Sequence, residues 1–415
     1  MRSTDSLADS ARRTFAEAFD PKRNAFGFFR LALAVLVIFS HTFSLGGFGI
    51  DPLEALTSAR HSLGIVSVTM FFILSGFLIC RSAAGPLSVS RFLWHRALRI
   101  FPAYWVCLLL CACVFAPVVA CHESGAFLWI FSAPRDSPQK FVATNAAIFQ
   151  LNGFSIEGFL RVSDNTIAGL LFRNPHPHAI NGSLWSLPFE ITCYLAVAGL
   201  AALGVLRRAR VLVLVLFLSF WALYAFEYLN PDAFRRCFPY SGMQLLVMLC
   251  LFFFAGCTCF LYREKIPASL TLFLISLLAM AGSFPLGVFG VVAPLALPYA
   301  FLWLAFSLPF GWFEKKGDFS YGLYIYAFPV QQGLALLRFH EEGFVLYFSW
   351  SVLASLLLAF LSHRLIEAPS LKLKSMQIPA FFRRRAPVIA PPLPAGASFI
   401  PESANLGTDF RAPAH

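Results

Sequence analysis

Long apolar runs alternate with short polar or charged turns along nearly the whole chain. A helix needs about 20 predominantly apolar residues to cross the hydrocarbon of a bilayer, because each residue advances it by about 1.5 Å. Ten runs fit that pattern, at roughly 28–48, 63–82, 100–120, 183–204, 210–228, 242–262, 268–284, 286–309, 319–338 and 345–366. They predict an all-α, polytopic membrane protein of ten transmembrane helices, with a membrane-embedded domain over 28–369. Residues 1–27 read as a polar cytoplasmic leader. The first apolar run starts too late, and has no small-residue cleavage site, for a secretory signal, so it is expected to remain a span. An external segment, 121–182, interrupts the alternation, with a re-entrant or surface helix expected near 140–160. It ends in irregular backbone at Arg173-Asn174-Pro175-His176-Pro177-His178. The Pro- and Ala-rich stretch 370–415 has too few large apolar groups to build a core and is expected to be a disordered cytoplasmic tail.

Charge orients the helices. Arg91, Arg96 and Arg99 lie in the loop 82–99; Arg207, Arg208 and Arg210 follow near 207. Arg263 with Lys265, Lys315 with Lys316, and the tail's Lys372, Lys374 and Arg383 to Arg385 complete the series. The intervening turns carry little net positive charge, so cytoplasmic enrichment in Lys and Arg puts both termini inside. Only 13% of residues are charged, about half the usual share in soluble domains, and the net charge of +11 is explained by those loops without a nucleic-acid partner. The ten cysteines show no zinc-type spacing, and no metal site is expected. Cys121 and Cys237 both fall in loops placed outside, and whether a disulfide joins them is not readable from the sequence.

Four clusters carry candidate chemistry. Arg30 and His41 flank one apolar run; eleven residues make three turns and about 20°, so they share a helix face about 16 Å apart along the axis. Ionisable groups inside an apolar helix are costly and usually functional, and a neutral imidazole is a competent general base. Arg96 and Arg99 share a face ahead of Pro102; they fit either a plain cytoplasmic charge cluster or a guanidinium clamp for phosphate. In Gly182-Ser183-Leu184-Trp185-Ser186-Leu187-Pro188-Phe189-Glu190, the residues Ser186, Glu190 and Tyr194 form one polar stripe. Glu190 is then either a buried structural carboxyl or the group that orients His41, as a carboxylate orients a catalytic histidine. Finally, Ser75-Gly76 in Phe71 to Leu78 permits close helix approach.

In this order, these clusters resemble the acyltransferase 3 family of integral membrane acyltransferases. Phe319-Ser320-Tyr321-Gly322-Leu323-Tyr324-Ile325-Tyr326 and His363-Arg364-Leu365-Ile366-Glu367-Ala368-Pro369 resemble its closing pattern. The likeness spans about residues 24–370. Two positions depart from it. Ala327 stands where relatives often carry a histidine, so that helix is given no catalytic role, and Thr69 stands where an acid is frequent.

The resemblance implies acyl transfer, most often acetyl, to hydroxyls of lipopolysaccharide, exopolysaccharide, peptidoglycan or lipo-oligosaccharide sugars at the cell inner (plasma) membrane. It implies no bound cofactor, acyl-CoA (acetyl-CoA) as co-substrate, and a glycan or lipid-linked saccharide as acceptor. Some relatives append a hydrolase-like domain; here transfer is expected to finish within the bilayer-embedded helices or on a separate glycan-assembly partner. Arg30, Arg96 and Arg99 would hold the donor phosphates. His41 would act as general base or transient acyl carrier, with Glu190 holding its ring and Trp185, Ser186, Tyr194 and Ser75 in support. The competing class is a proton-coupled transporter or flippase using His41 and Glu190 as a relay.

Overall fold

The computed structural model describes residues 13–57, 60–124, 137–148, 174–176, 179–240 and 242–376. All ten predicted apolar runs are helical. They are α1 (Phe26–Leu45), α2 (Leu63–Ala84), α3 (Val89–Leu110), α4 (Leu187–Ala202) and α5 (Val211–Leu229). After these come α6 (Met243–Leu261), α7 (Leu270–Ser283), α8 (Phe289–Ser307), α9 (Ser320–Leu336) and α10 (Phe344–Ser362). Among the described residues, eight helices are long and apolar enough to cross a membrane. With 14 and 17 residues, α7 and α9 are shorter than a straight crossing takes.

Lipid gives helices no hydrophobic reason to associate, so close contact must do it. The α2–α6 crossing shows how. A Cβ on Gly76 would lie 1.9 Å from the Phe253 carbonyl oxygen, and one on Gly256 would lie 2.1 Å from that of Ile73. Each glycine thus admits the other helix's backbone. On the far side of the bundle, α7 leaves Leu270, Ile275 and Leu278 exposed and seats Phe273 on Trp303 of α8, with ring centroids 4.3 Å apart.

Three boundaries differ from expectation. The arginines of the loop 82–99 lie on a helix: α3 starts at Val89, eleven residues before the predicted span, and continues through the wide turn Cys111–Phe115 into Ala116–Ser124. Ser88 caps it by accepting from the Arg91 N–H, and although Phe92, Leu98 and Ile100 are buried, Arg91, His95, Arg96 and Arg99 between and beside them keep the stretch from registering as an apolar run. Residues 13–27 are tied to the bundle, with the Phe15 N–H donating to the Ile266 carbonyl at 2.8 Å and its ring stacking on Tyr299. The expected tail starts late. α10 continues through His363–Glu367 into Ala368–Lys372 and Leu373–Ser375, fixed to α3 where Arg91 Nη2 and Trp94 Nε1 donate to the Lys374 and Leu373 carbonyls. Residues 377–415 lie outside the described residues.

Within the segment 121–182, a helix covers Pro138–Asn145, and Tyr104 and Trp105 of α3 donate to the carbonyls of Asn145 and Ala146. Residues 149–173, and with them Arg173, as well as Pro177 and His178, lie outside the described residues. Cys121 and Cys237 are both exposed free thiols, so no disulfide joins them.

Candidate active site

α1 and α9 run parallel and carry both ends of the site. At one end Arg30 Nη1 lies 3.0 Å from Asp318 Oδ2, just ahead of α9. At the other, Gln331 Nε2 donates to the Ile38 carbonyl (3.1 Å) and Thr42 Oγ1 (3.2 Å). This register explains why a face shared by Arg30 and His41 matters: both meet the same neighbouring helix.

The first end is an ion network. Asp318 Oδ2 also receives Arg99 Nη2, while its Oδ1 accepts from the Ser320 hydroxyl (2.5 Å) and N–H (3.2 Å). Arg99 Nη1 reaches Glu367 Oε2 at 3.4 Å. Burial alone would raise the Asp318 carboxyl, but Arg30 and Arg99 overcome it and hold the group well below the usual carboxylate range. Tyr321 ties α9 to α3 through its hydroxyl, which donates to the Ile100 carbonyl at 2.9 Å.

Arg96 is different. No carboxylate lies within ion-pair distance of it among the described residues; its guanidinium sits 5.9 Å over the Phe92 ring and its buried Nε has no partner. Arg30, Arg96 and Arg99 all line a cavity of about 160 Å³, with Ser75, Ser186, Glu190, Tyr194, Tyr321 and Tyr324 on its walls. Two guanidiniums are therefore engaged by carboxylates and one is available, an arrangement suited to an anionic ligand.

The Ser186–Glu190–Tyr194 stripe lines this cavity. Asn181, fully buried, organises its entry by donating to the Ile325 carbonyl (2.9 Å) and accepting from the Ser183 N–H (3.2 Å), which starts the tight turn Gly182–Ser186. Ser186 Oγ bonds the Tyr324 hydroxyl at 2.8 Å. Glu190 accepts from the Tyr194 hydroxyl and from Ser75 Oγ. Trp185 is partly buried against Phe189 and is not part of the cavity wall.

The expected Glu190–His41 pair does not form. No hydrogen bond joins them; His41 lies edge-on to Phe328 at 5.2 Å, with its Nδ1 buried and unpartnered. The reason is azimuth. α4 packs on α2, α3 and α6, whereas α1 packs on α2, α9 and α10. His176 stands on the same Phe328 ring at 6.2 Å. Its segment is locked by two buried amides: Asn174 Nδ2 donates to Gln332 Oε1, and Gln332 Nε2 to the His176 and Ala179 carbonyls.

Sequence reasoning missed Asp318, Phe328 and Gln332, and quoted Tyr324 and Glu367 without assigning them a role. An acid immediately ahead of an apolar run was the available signal for Asp318.

Residues 23–364 match the acyltransferase domain of the acyltransferase 3 family. The chain belongs to that family. It is 30% identical over 353 residues to an O-acetyl transferase of Shigella phage Sf6, covering 83% of this chain and 95% of that protein. It is 26% identical over 381 residues to Nodulation protein 10 of Rhizobium leguminosarum bv. viciae, covering 85% and 94%. No solved structure matches it. As a member of the acyltransferase 3 family it is a multi-pass membrane O-acyltransferase, which decides for transfer chemistry over a proton-coupled carrier.

Proposed function

We propose that the protein moves an acyl group, acetyl in the first instance, from acyl-CoA to a hydroxyl of a cell-surface glycan or lipid-linked sugar at the cell inner (plasma) membrane. The observation that carries this reading is the arginine cavity in which Arg96, among the described residues, has no carboxylate partner, together with His41 on α1, whose Nδ1 is buried without a partner among them. Arg96 takes the donor's phosphates, assisted by the outward edges of Arg30 and Arg99. The donor arm extends along the wall made by Ser75, Glu190 and Tyr194, whose oxygens suit its amide groups.

His41 acts at the far end. Its free ring nitrogen removes the acceptor hydroxyl proton as that oxygen attacks the thioester carbonyl; the carbon–sulfur bond breaks and CoA leaves as thiolate, to be protonated in turn. In the two-step variant the imidazole is acylated first and the sugar hydroxyl then displaces it. Glu190 serves the donor in either case. The acetyl preference draws on the phage relative, an O-acetyl transferase.

Inverted membrane vesicles with labelled acetyl-CoA test the reading. Native protein should move label into glycan and release CoA, and His41→Ala should do neither while inserting normally. Equal incorporation by both would remove His41 from the chemistry.

A further inference from the structure

A second cavity, of about 290 Å³, opens at the opposite end of α2 from the arginine cavity. Leu63 and Ser75 are separated by twelve residues of α2, about 18 Å of rise. It is framed by Arg60 and His61 ahead of α2, Tyr228 at the end of α5, and the α7–α8 turn with Phe284 and Phe289. No step proposed above uses it.

His61 is 9% exposed and its ring lies parallel to Tyr228, 6.2 Å away, and against Phe289 at 5.5 Å. Thr57 Oγ1 satisfies its backbone N–H and carbonyl. Its Nε2 is buried and has no partner among the described residues. Such an atom normally finds one, in the protein or in a ligand. Burial, then the Arg60 guanidinium, lowers the His61 pKa from its ordinary value, leaving a neutral ring that can offer one N–H. Arg60 sits 4.6 Å over the Tyr228 ring and, among the described residues, makes one hydrogen bond, to the Tyr228 carbonyl at 3.4 Å, with no carboxylate in ion-pair distance. Four of its five N–H groups remain to be used. The neighbouring Glu227 is taken up by Gln244 Nε2 at 3.1 Å.

The cavity therefore presents donors, one of them charged, and asks for an anionic oxygen group; guanidinium matches phosphate in a bidentate way. Its rim is apolar. Leu56 is 79% exposed, and Leu286 in the α7–α8 turn is 74% exposed. This rim adjoins α7, whose Leu270, Leu274 and Leu278 are exposed. An anion with an apolar chain attached fits both halves.

We propose that this cavity binds the phosphate headgroup of a membrane lipid, with Arg60 and the His61 Nε2–H on its oxygens and the chain running along the α7 surface. Its test does not depend on acyl transfer. Purified protein in detergent is titrated calorimetrically with dihexanoyl phosphatidate, dihexanoyl glycerol and inorganic phosphate. Phosphatidate should bind at one site, at least about ten-fold more tightly than either other probe. Arg60→Gln and His61→Phe, the latter keeping a ring on Tyr228, should each weaken it about ten-fold. Arg60 is solvent-facing, so its variant keeps the test valid if His61→Phe fails to fold. Equal phosphatidate affinity in native protein and Arg60→Gln would overturn the site. Equal binding of dihexanoyl glycerol would overturn the phosphate assignment, and equal binding of inorganic phosphate would overturn the lipid assignment.

Discussion

Arg96→Ala and Arg99→Ala should fail in different ways, although the two residues sit three apart on one helix face. Arg99 is held by Asp318 and by Glu367, whose side chain is 2% exposed. Deleting it leaves Glu367 with no cation and Asp318 with Arg30 alone. Removing one partner of a buried pair costs about 3–5 kcal/mol, and the 22% exposure of Arg99 argues for about 3. Arg96 has no carboxylate to abandon, so its loss should change stability by about 1 kcal/mol or less. On the proposed reading, however, it is the guanidinium free for the donor. A hydrogen bond to a charged group contributes about 1.5–3 kcal/mol, so Arg96→Ala should weaken acyl-CoA binding about ten- to a hundred-fold. Calorimetric titration with the donor, paired with thermal unfolding in one detergent, separates the two. The reasoning is refuted if Arg96→Ala unfolds as early as Arg99→Ala, or if it leaves donor affinity within about two-fold of native.

Three further outcomes follow from the packing. Gly76→Ala and Gly256→Ala should each lower the melting temperature, because overpacking at the α2–α6 crossing, about 1–3 kcal/mol, exceeds the gain of up to about 1 kcal/mol in helix propensity; an unchanged or raised temperature contradicts the contact. The Asp318 carboxyl is depressed in the folded state, so its stabilising contribution is present above its ordinary pKa of 3.8 and is lost as pH falls below that toward the folded value. The melting-temperature gap between native protein and Asp318→Asn should therefore stay level down to about pH 4 and narrow only below it. Gln332→Ala removes the side-chain bonds that hold Asn174, His176 and Ala179, about 3 kcal/mol in all, and should speed amide exchange at those residues without altering exchange at Asp318.

How much of this was legible in the sequence depends on which coordinate is asked for. Position along each helix is readable, because hydropathy marks where the apolar runs start and stop. Thus the ten helices, the convergence of Arg30, Arg96 and Arg99 on one cavity, and the close approach at Gly76 follow from the residues. Azimuth is not readable, because an apolar helix surrounded by lipid and by other helices has no polar face to declare which neighbour it meets. Glu190 and His41 were matched in depth and proved to face different helices. Asp318 pairs with an arginine 219 residues away, a separation over which no local pattern carries information. The early start of α3 escaped for a third reason: its first turns are amphipathic, lying between the signals for loop and for span.

The same distinction revises which helix holds the site together. α1 carries the two residues that drew attention, but α9 meets both: Asp318 precedes it, Ser320, Tyr321 and Tyr324 wall the cavity, Phe328 seats His41, and Gln331 bonds back to α1. Ala327 removes the histidine frequent in relatives and made α9 look inert. Yet alanine there shares one buried cluster with Ala34 and Ile38 of α1, between the two ends at which the helices are tied together. On the proposed reading, a donor held at the arginines presents its thioester at a distance set by this rail, pinned at one end by Asp318 and at the other by Gln331. α9 is thus pinned to α1 by polar groups at both ends, with Leu323 and Ala327 buried between them, and on the proposed reading the proton chemistry is left to α1.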